Sequence, residues 1–250
     1  MARFFFEISY DGSHFHGWQR QKDAISVQQK IEECLSMIYR EDVAIVGCGR
    51  TDTGVHASSY FFHTELPHCN DNIVFRANSI LPKSIAVHRF VEVNPQAHAR
   101  FDAIKRAYVY YAHSHKTPFL LNYSSRIIEL KDVALEDLNK TAQLIMKYKE
   151  FTPFCKAHAD NKTMLCALSR CEWSYIEETK QYVLNVESDR FLRGMIRLIV
   201  GTCVLVAKGD LTLEQVQTSL DDQSRLPKSL SAPPQGLFLN KVAYEFIATL

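Results

Sequence analysis

The segment GCGRTDTGVHA (residues 47–57) places one carboxylate, Asp52, in a run of small and turn-forming residues, with Arg50 two places before it and His56 four places after. Three readings compete for it. Gly49 and Gly54 have the spacing of a phosphate-binding glycine loop, but Val55 and His56 stand where Lys and Ser or Thr are needed, and Asp52 would repel phosphate. Asp52, Thr53 and Gly54 also spell the aspartic protease tripeptide, which works as two aspartates sharing one proton. The tripeptide occurs once and follows Arg50 and Thr51 rather than apolar residues, so a protease would have to be a dimer with an arginine at its dyad. The third reading makes Asp52 a single ionised carboxylate that acts as a nucleophile. In a cleft such a group needs a cation beside it, because an unpaired buried charge is costly.

Working outward, the pattern predicts strands over residues 43–48 and 58–64 on either side of the loop, with a further strand over 3–10. Ser26 and Gln29 read as a capping box ahead of a helix whose Val27, Ile31, Leu35 and Ile38 recur on one face. A helix over 72–81 and a strand over 85–93 complete the first half. The second half repeats the theme with strands over 106–113 and 126–130 and a helix over 135–148 bearing Leu138, Ala142 and Ile145. A hairpin over 168–176 and 182–188, a helix from Phe191 and a last strand over 237–246 follow. The reading is an α+β protein of two ferredoxin-like subdomains, residues 1–100 and 101–250, sharing a mostly antiparallel sheet, with the cleft between them as the natural site.

Composition bounds the function. A chain of 250 residues with 46% apolar content buries a real core. Seven cysteines without a CxxC pair fit a reducing cytosol, and the start MARFFFEISYDG lacks the apolar stretch of a secretory leader. The apolar run over 191–207 is broken by Arg193 and Arg197, so it is not a membrane span, and the chain reads as cytoplasmic. His14 with His16, His113 with His115, and Cys155, His158, Cys166 and Cys171 lack the repeated short spacing of a zinc site, so no metal is expected. Trp18 reads as a structural anchor, and Gly12 and Gly54 as answers to backbone needs.

A net charge of +1 says little, because a nucleic acid responds to local clusters. Arg100, Lys105 and Arg106 form one cluster; Arg190, Arg193 and Arg197 form another, and a solvated face is the plain alternative for each. Apolar residues at 191, 192, 195, 196, 199, 200, 203 and 204 fall at helical spacing, which sets the three arginines of the second cluster on one face. Arg197, flanked by apolar residues on both turns, falls at the core boundary. Arg190, at the helix entry, meets solvent or phosphate.

The blocks YDGSHFHGWQRQ (10–21), GRTDTGVHA (49–57), HARFDAIKRAYVY (98–110), FLRGMIRLIVG (191–201) and APPQGLFL (232–239) together resemble the tRNA pseudouridine synthase A family nearly end to end. The resemblance implies a cofactor-free homodimeric isomerase that converts uridine to pseudouridine in the anticodon stem-loop of tRNA, at positions thirty-eight to forty. It places the catalytic aspartate on Asp52, the base-flipping arginine on Arg50, the active-site tyrosine on Tyr108 and the arginine that pairs with the aspartate on Arg197. Arg100, Lys105, Arg106, Arg190 and Arg193 then read as tRNA contacts. Thr53, Leu198 and Pro153 depart from the usual pattern, where alanine, asparagine and a serine-like loop are common. A catalytically silent RNA-binding module on the same scaffold is the other reading, beside the dimeric protease.

Overall fold

The computed structural model describes residues 1–156 and 162–247. It is a mixed α/β protein with a mostly antiparallel open sheet. The chain divides into two compact units, Met1–Arg106 with Phe238–Leu250, and Ala107–Leu237.

The first unit is built on β1 (Ala2–Tyr10), β2 (Val46–Gly47), β3 (His56–Leu66) and β4 (Ile85–Val93). Its helices are α1 (Val27–Tyr39) and α2 (Asn72–Ile80). β1 runs antiparallel between β3 and β4, with Phe6 opposite Phe62 on one side and Phe90 on the other. Side chains alternate between the two faces of β1, and both faces are covered: Phe6 packs on Phe62 and Phe90, and Phe5 on Tyr244 and Phe246, so the consecutive Phe4, Phe5 and Phe6 are all buried. Phe6 stacks on Phe62 at 5.1 Å between ring centres. Ser26 caps α1 by accepting the Gln29 amide, and Val27, Ile31, Leu35 and Ile38 are buried as their spacing predicts. The Gln29 side chain donates to Glu33.

The second unit is built on β5 (Lys105–His113), β6 (Ser125–Arg126), β7 (Leu168–Ile176) and β8 (Gln181–Ser188), with α3 (Leu135–Ile145), α4 (Met195–Ala207) and α5 (Leu213–Asp221). β7 and β8 form the expected hairpin. α4 is buried over nearly its whole circumference and is the centre of this unit's core. The C-terminal strand β9 (Leu237–Ala243) pairs in parallel with the start of β3, His56 opposite Phe238.

Four elements differ from the sequence reading. The strand over 43–48 contracts to Val46–Gly47, because α1 takes over the preceding backbone: Ser36 Oγ accepts the Val43 amide and a Glu32 carboxylate oxygen accepts that of Ile45. The strand over 126–130 contracts to Ser125–Arg126, followed by a 3-10 helix, Ile128–Asp132; Ile127 and Leu130 are buried three residues apart, a helical rather than a strand spacing. α4 starts at Met195 rather than Phe191, because Gly194 adopts φ +74 and a left-handed residue ends helical continuity. α5 has no counterpart in the reading above, although Thr212 and Gln215 make a complete capping box at its start.

Candidate active site

Asp52 stands at the head of a tight turn between β2 and β3. The Val55 amide donates to the Asp52 carbonyl at 3.2 Å, and Gly54 has φ +76 while Thr53 does not share the left-handed region, which defines a type II turn. The turn leaves the Asp52 side chain half-buried and Arg50 exposed.

The block containing Tyr10 to Trp18 is the bed on which the turn lies. The Tyr10 hydroxyl and Thr51 Oγ1 are hydrogen-bonded at 2.9 Å, the Trp18 amide donates to the Thr51 carbonyl at 3.2 Å, and the Gly54 amide donates to the Phe15 carbonyl at 3.4 Å. A Cβ at Gly12 would run into the Val55 carbonyl oxygen, so only glycine allows this close approach. The Gly12 amide donates to Nδ1 of His56 at 3.1 Å, and His56 is buried, stacked on Phe238 at 4.5 Å. Trp18, the expected anchor, is buried and stacks on Tyr60 at 4.0 Å, while the Tyr60 hydroxyl donates to the Gly49 carbonyl at 2.6 Å. The lone acid is therefore carried on a stretch anchored by hydrogen bonds at Gly49, Thr51, Asp52, Gly54 and Val55. Gly12 meets the backbone need read from the sequence, whereas His56 and Tyr60 have no supporting role in that reading, although His56 falls in the 49–57 block.

The turn's neighbourhood narrows the chemistry. Burial pushes the Cys48 thiol up to about 11, so it stays protonated and is no competing nucleophile. All seven cysteines are free thiols, five of them buried. Among the described residues no three His, Cys, Asp or Glu side chains gather as a metal site. Of the cysteines and histidine considered for zinc, His158 lies outside the described residues.

The other residues singled out in the first unit are Arg100, Lys105 and Arg106. Arg100 and Lys105 are exposed, and the Arg100 guanidinium lies 5.7 Å from the ring centre of Phe101, itself 73% exposed. Arg106 is half-buried and donates to three backbone carbonyls, those of Arg100, Ala103 and Cys48.

The second unit carries Tyr108, Arg190, Arg193 and Arg197. Tyr108 is half-buried in β5, edge-on to Phe191 at 5.3 Å. Tyr110, two residues on, is fully buried; its hydroxyl donates to the Pro233 carbonyl at 2.9 Å, and burial pushes its pKa well above the usual tyrosine value. Of the two, Tyr108 is the one with an accessible ring. Only Arg197 of its cluster lies on α4. Its Nε donates to the Ala232 carbonyl at 2.6 Å, and the Ala232 amide returns a bond to the Arg197 carbonyl. Arg190 and Arg193 precede the helix, so the single helical face expected for all three does not form. Arg190 donates through Nη1 to the carbonyls of Thr163 and Leu165. Arg193 is exposed, and its carbonyl accepts the Lys156 amide.

Residues 148–245 match the family model described as tRNA pseudouridine synthase. The chain is 40% identical over 249 residues to tRNA pseudouridine synthase A of Porphyromonas gingivalis, covering 98% of both chains. It is 41% identical over 247 residues to the protein of that name from Bacteroides thetaiotaomicron, covering 98% of this chain and 91% of the relative. With the Bacteroides fragilis protein of the same name it shares 39% identity over 247 residues, 98% of this chain and 97% of the relative. Likeness of this depth, along the whole chain rather than at one motif, means that the protein belongs to the tRNA pseudouridine synthase A family.

Proposed function

We propose that this protein isomerises uridine to pseudouridine in tRNA, at positions thirty-eight to forty of the anticodon stem-loop, with Asp52 as the nucleophile. The observation that carries the reading is the half-buried Asp52 carboxylate at the head of a hydrogen-bonded turn, beside an exposed Arg50, in a chain of this family.

The reaction moves the C1′ bond of the ribose from N1 to C5 of the same uracil and releases the C5 proton, with no net change of atoms in the nucleotide once N1 is protonated. Uracil must first leave the base stack, at a cost of a few kcal/mol. Arg50 has the length and planarity to fill the vacated space and stack on the neighbouring bases. An ionised carboxylate attacks C1′, draws a proton from C2′ or adds to C6 of the ring, and each route to opening the glycosidic bond needs Asp52 as the anion. The resemblance assigns Arg197 as the cation that favours this anion. Tyr108 supplies a ring for stacking and a hydroxyl to receive the C5 proton, directly or through water. Arg100, Lys105, Arg190 and Arg193 serve as phosphate contacts, which position RNA without reading its sequence. The family also supports action as a homodimer in the cytoplasm; among the described residues no helix is long and apolar enough to cross a membrane.

The test is incubation of the purified protein with unmodified tRNA transcripts, followed by carbodiimide labelling and primer extension. Stops confined to the anticodon stem-loop uridines are expected. Their absence from every transcript, with the protein folded, would overturn the reading.

A further inference from the structure

Arg106 sits in a basic cluster, and by charge alone it reads as another phosphate contact. The hydrogen bonds point elsewhere. Nη1 donates to the Ala103 carbonyl at 3.1 Å, and Nη2 donates to the Arg100 carbonyl at 2.7 Å and to the Cys48 carbonyl at 3.1 Å. One nitrogen thus joins Cys48, on the segment that leads from β2 into the Asp52 turn, to the segment that presents Arg100 and Phe101.

Both joined segments are already firm on their own side. The Ala99 amide donates to Nδ1 of His63 at 3.0 Å and the Ala99 carbonyl accepts the Tyr244 hydroxyl. The Arg100 amide donates to Nδ1 of His98 at 3.1 Å, and the His98 amide donates to Asp102 Oδ2 at 2.8 Å. On the other side, Gly49 is fixed by Tyr60. Arg106 therefore links two rigid pieces rather than reinforcing a loose one.

We propose that Arg106 is a positioning residue that sets the Asp52 turn relative to the Arg100 segment, and that it is not a phosphate contact. The proposal rests on the pseudouridine synthase reading for its effect on rate, but the link itself lies within the free protein. A planar guanidinium with several N–H groups in fixed directions can serve three carbonyls at once, whereas a lysine ammonium is a compact charge on a flexible stem. Arg106→Lys should therefore keep the charge and lose the link.

The experiment compares wild type, R106K, R106A and K105A in three measurements: single-turnover pseudouridine formation at saturating tRNA, tRNA affinity over a salt series, and amide hydrogen exchange of the free protein. For R106K the rate falls about 10- to 100-fold, the scale expected for an ångström-level misplacement of a reacting group. Its affinity keeps the wild-type salt slope, and amides of residues 48–54 and 98–104 exchange faster. K105A shows the opposite pattern, with weaker binding, a salt slope reduced by about one, and unaltered exchange in those segments. Wild-type exchange and rate in R106K, or a reduced salt slope in R106A with an unchanged saturated rate, would overturn the proposal. If wild type makes no pseudouridine, the functional reading fails while the exchange measurement still decides the link.

Discussion

The two units tie a helix to their outer strands in the same way and hold their candidate site residues differently. In the first, Asn78 of α2 donates to the Val87 carbonyl of β4 and accepts the Val87 amide, both at 2.8 Å. In the second, Asn139 of α3 does the same for Trp173 of β7, at 2.9 and 2.8 Å. An edge strand has unpaired donors and acceptors, and an asparagine amide offers one of each at matching spacing, so in each unit a helix side chain satisfies one residue of the outer strand. The functional segments then diverge. The first unit immobilises the backbone beneath Asp52 and leaves the short side chain half-buried. The second tethers the long side chains themselves, Arg190 to the carbonyls of Thr163 and Leu165 and Arg197 to that of Ala232. A short acid has little freedom of its own, so its placement is decided by the main chain. A guanidinium on a flexible stem is placed only when its own N–H groups are anchored.

That contrast can be broken at several points. The largest effect is expected from Arg197→Ala, which removes both the proposed cation and the Ala232 bond: turnover should fall by roughly 100-fold or more, as for loss of one charge-stabilising donor, with a much smaller change in tRNA affinity. A filter-binding titration beside the turnover assay checks it, and normal turnover in this variant would remove Arg197 from the chemistry. Gly12→Ala forces a methyl group against the Val55 carbonyl and should destabilise the fold by about 1–3 kcal/mol, measured by denaturant titration. An unchanged midpoint would mean that the bed under the turn yields easily.

A smaller effect depends on pH. Burial, helped by the neighbouring His98 and Arg3 charges, pulls the His63 pKa from 6.5 to about 4. Between those values the unfolded chain takes up a proton that the folded chain refuses. Stability should therefore fall as pH drops through that window, by at most about 1.4 kcal/mol per unit for one proton. His63→Gln should flatten this part of the stability curve, and an unaltered curve would assign the slope to other groups.

Much of this was legible in the residues. β4 runs over residues 85–93 as read, and the β7–β8 hairpin falls where 168–176 and 182–188 predict it, each strand burying a pair two residues apart: Ile85 and Val87, Cys171 and Trp173, Leu184 and Val186. What escaped was decided by side chains acting on distant backbone. Glu32 and Ser36 claim the amides of Ile45 and Val43, so a stretch with strand composition forms only a two-residue strand. Phe191 and Leu192 continue the apolar period of α4, yet Gly194 ends it, with a Cβ there meeting the Lys156 side chain. At the site, Asp52 was conspicuous as a lone acid among glycines, whereas Arg106 resembled its basic neighbours because nothing in a charge pattern tells a salt-exposed arginine from one bonded to three carbonyls.

The central claim is that the Asp52 carboxylate drives the isomerisation, and tritium release from tRNA labelled at C5 of uridine tests it most directly, since the C5 proton leaves only if the new bond forms. Wild type should release label from the anticodon stem-loop uridines, while Asp52→Ala should bind the same tRNA and release none above background. Equal release from the two proteins would contradict the account.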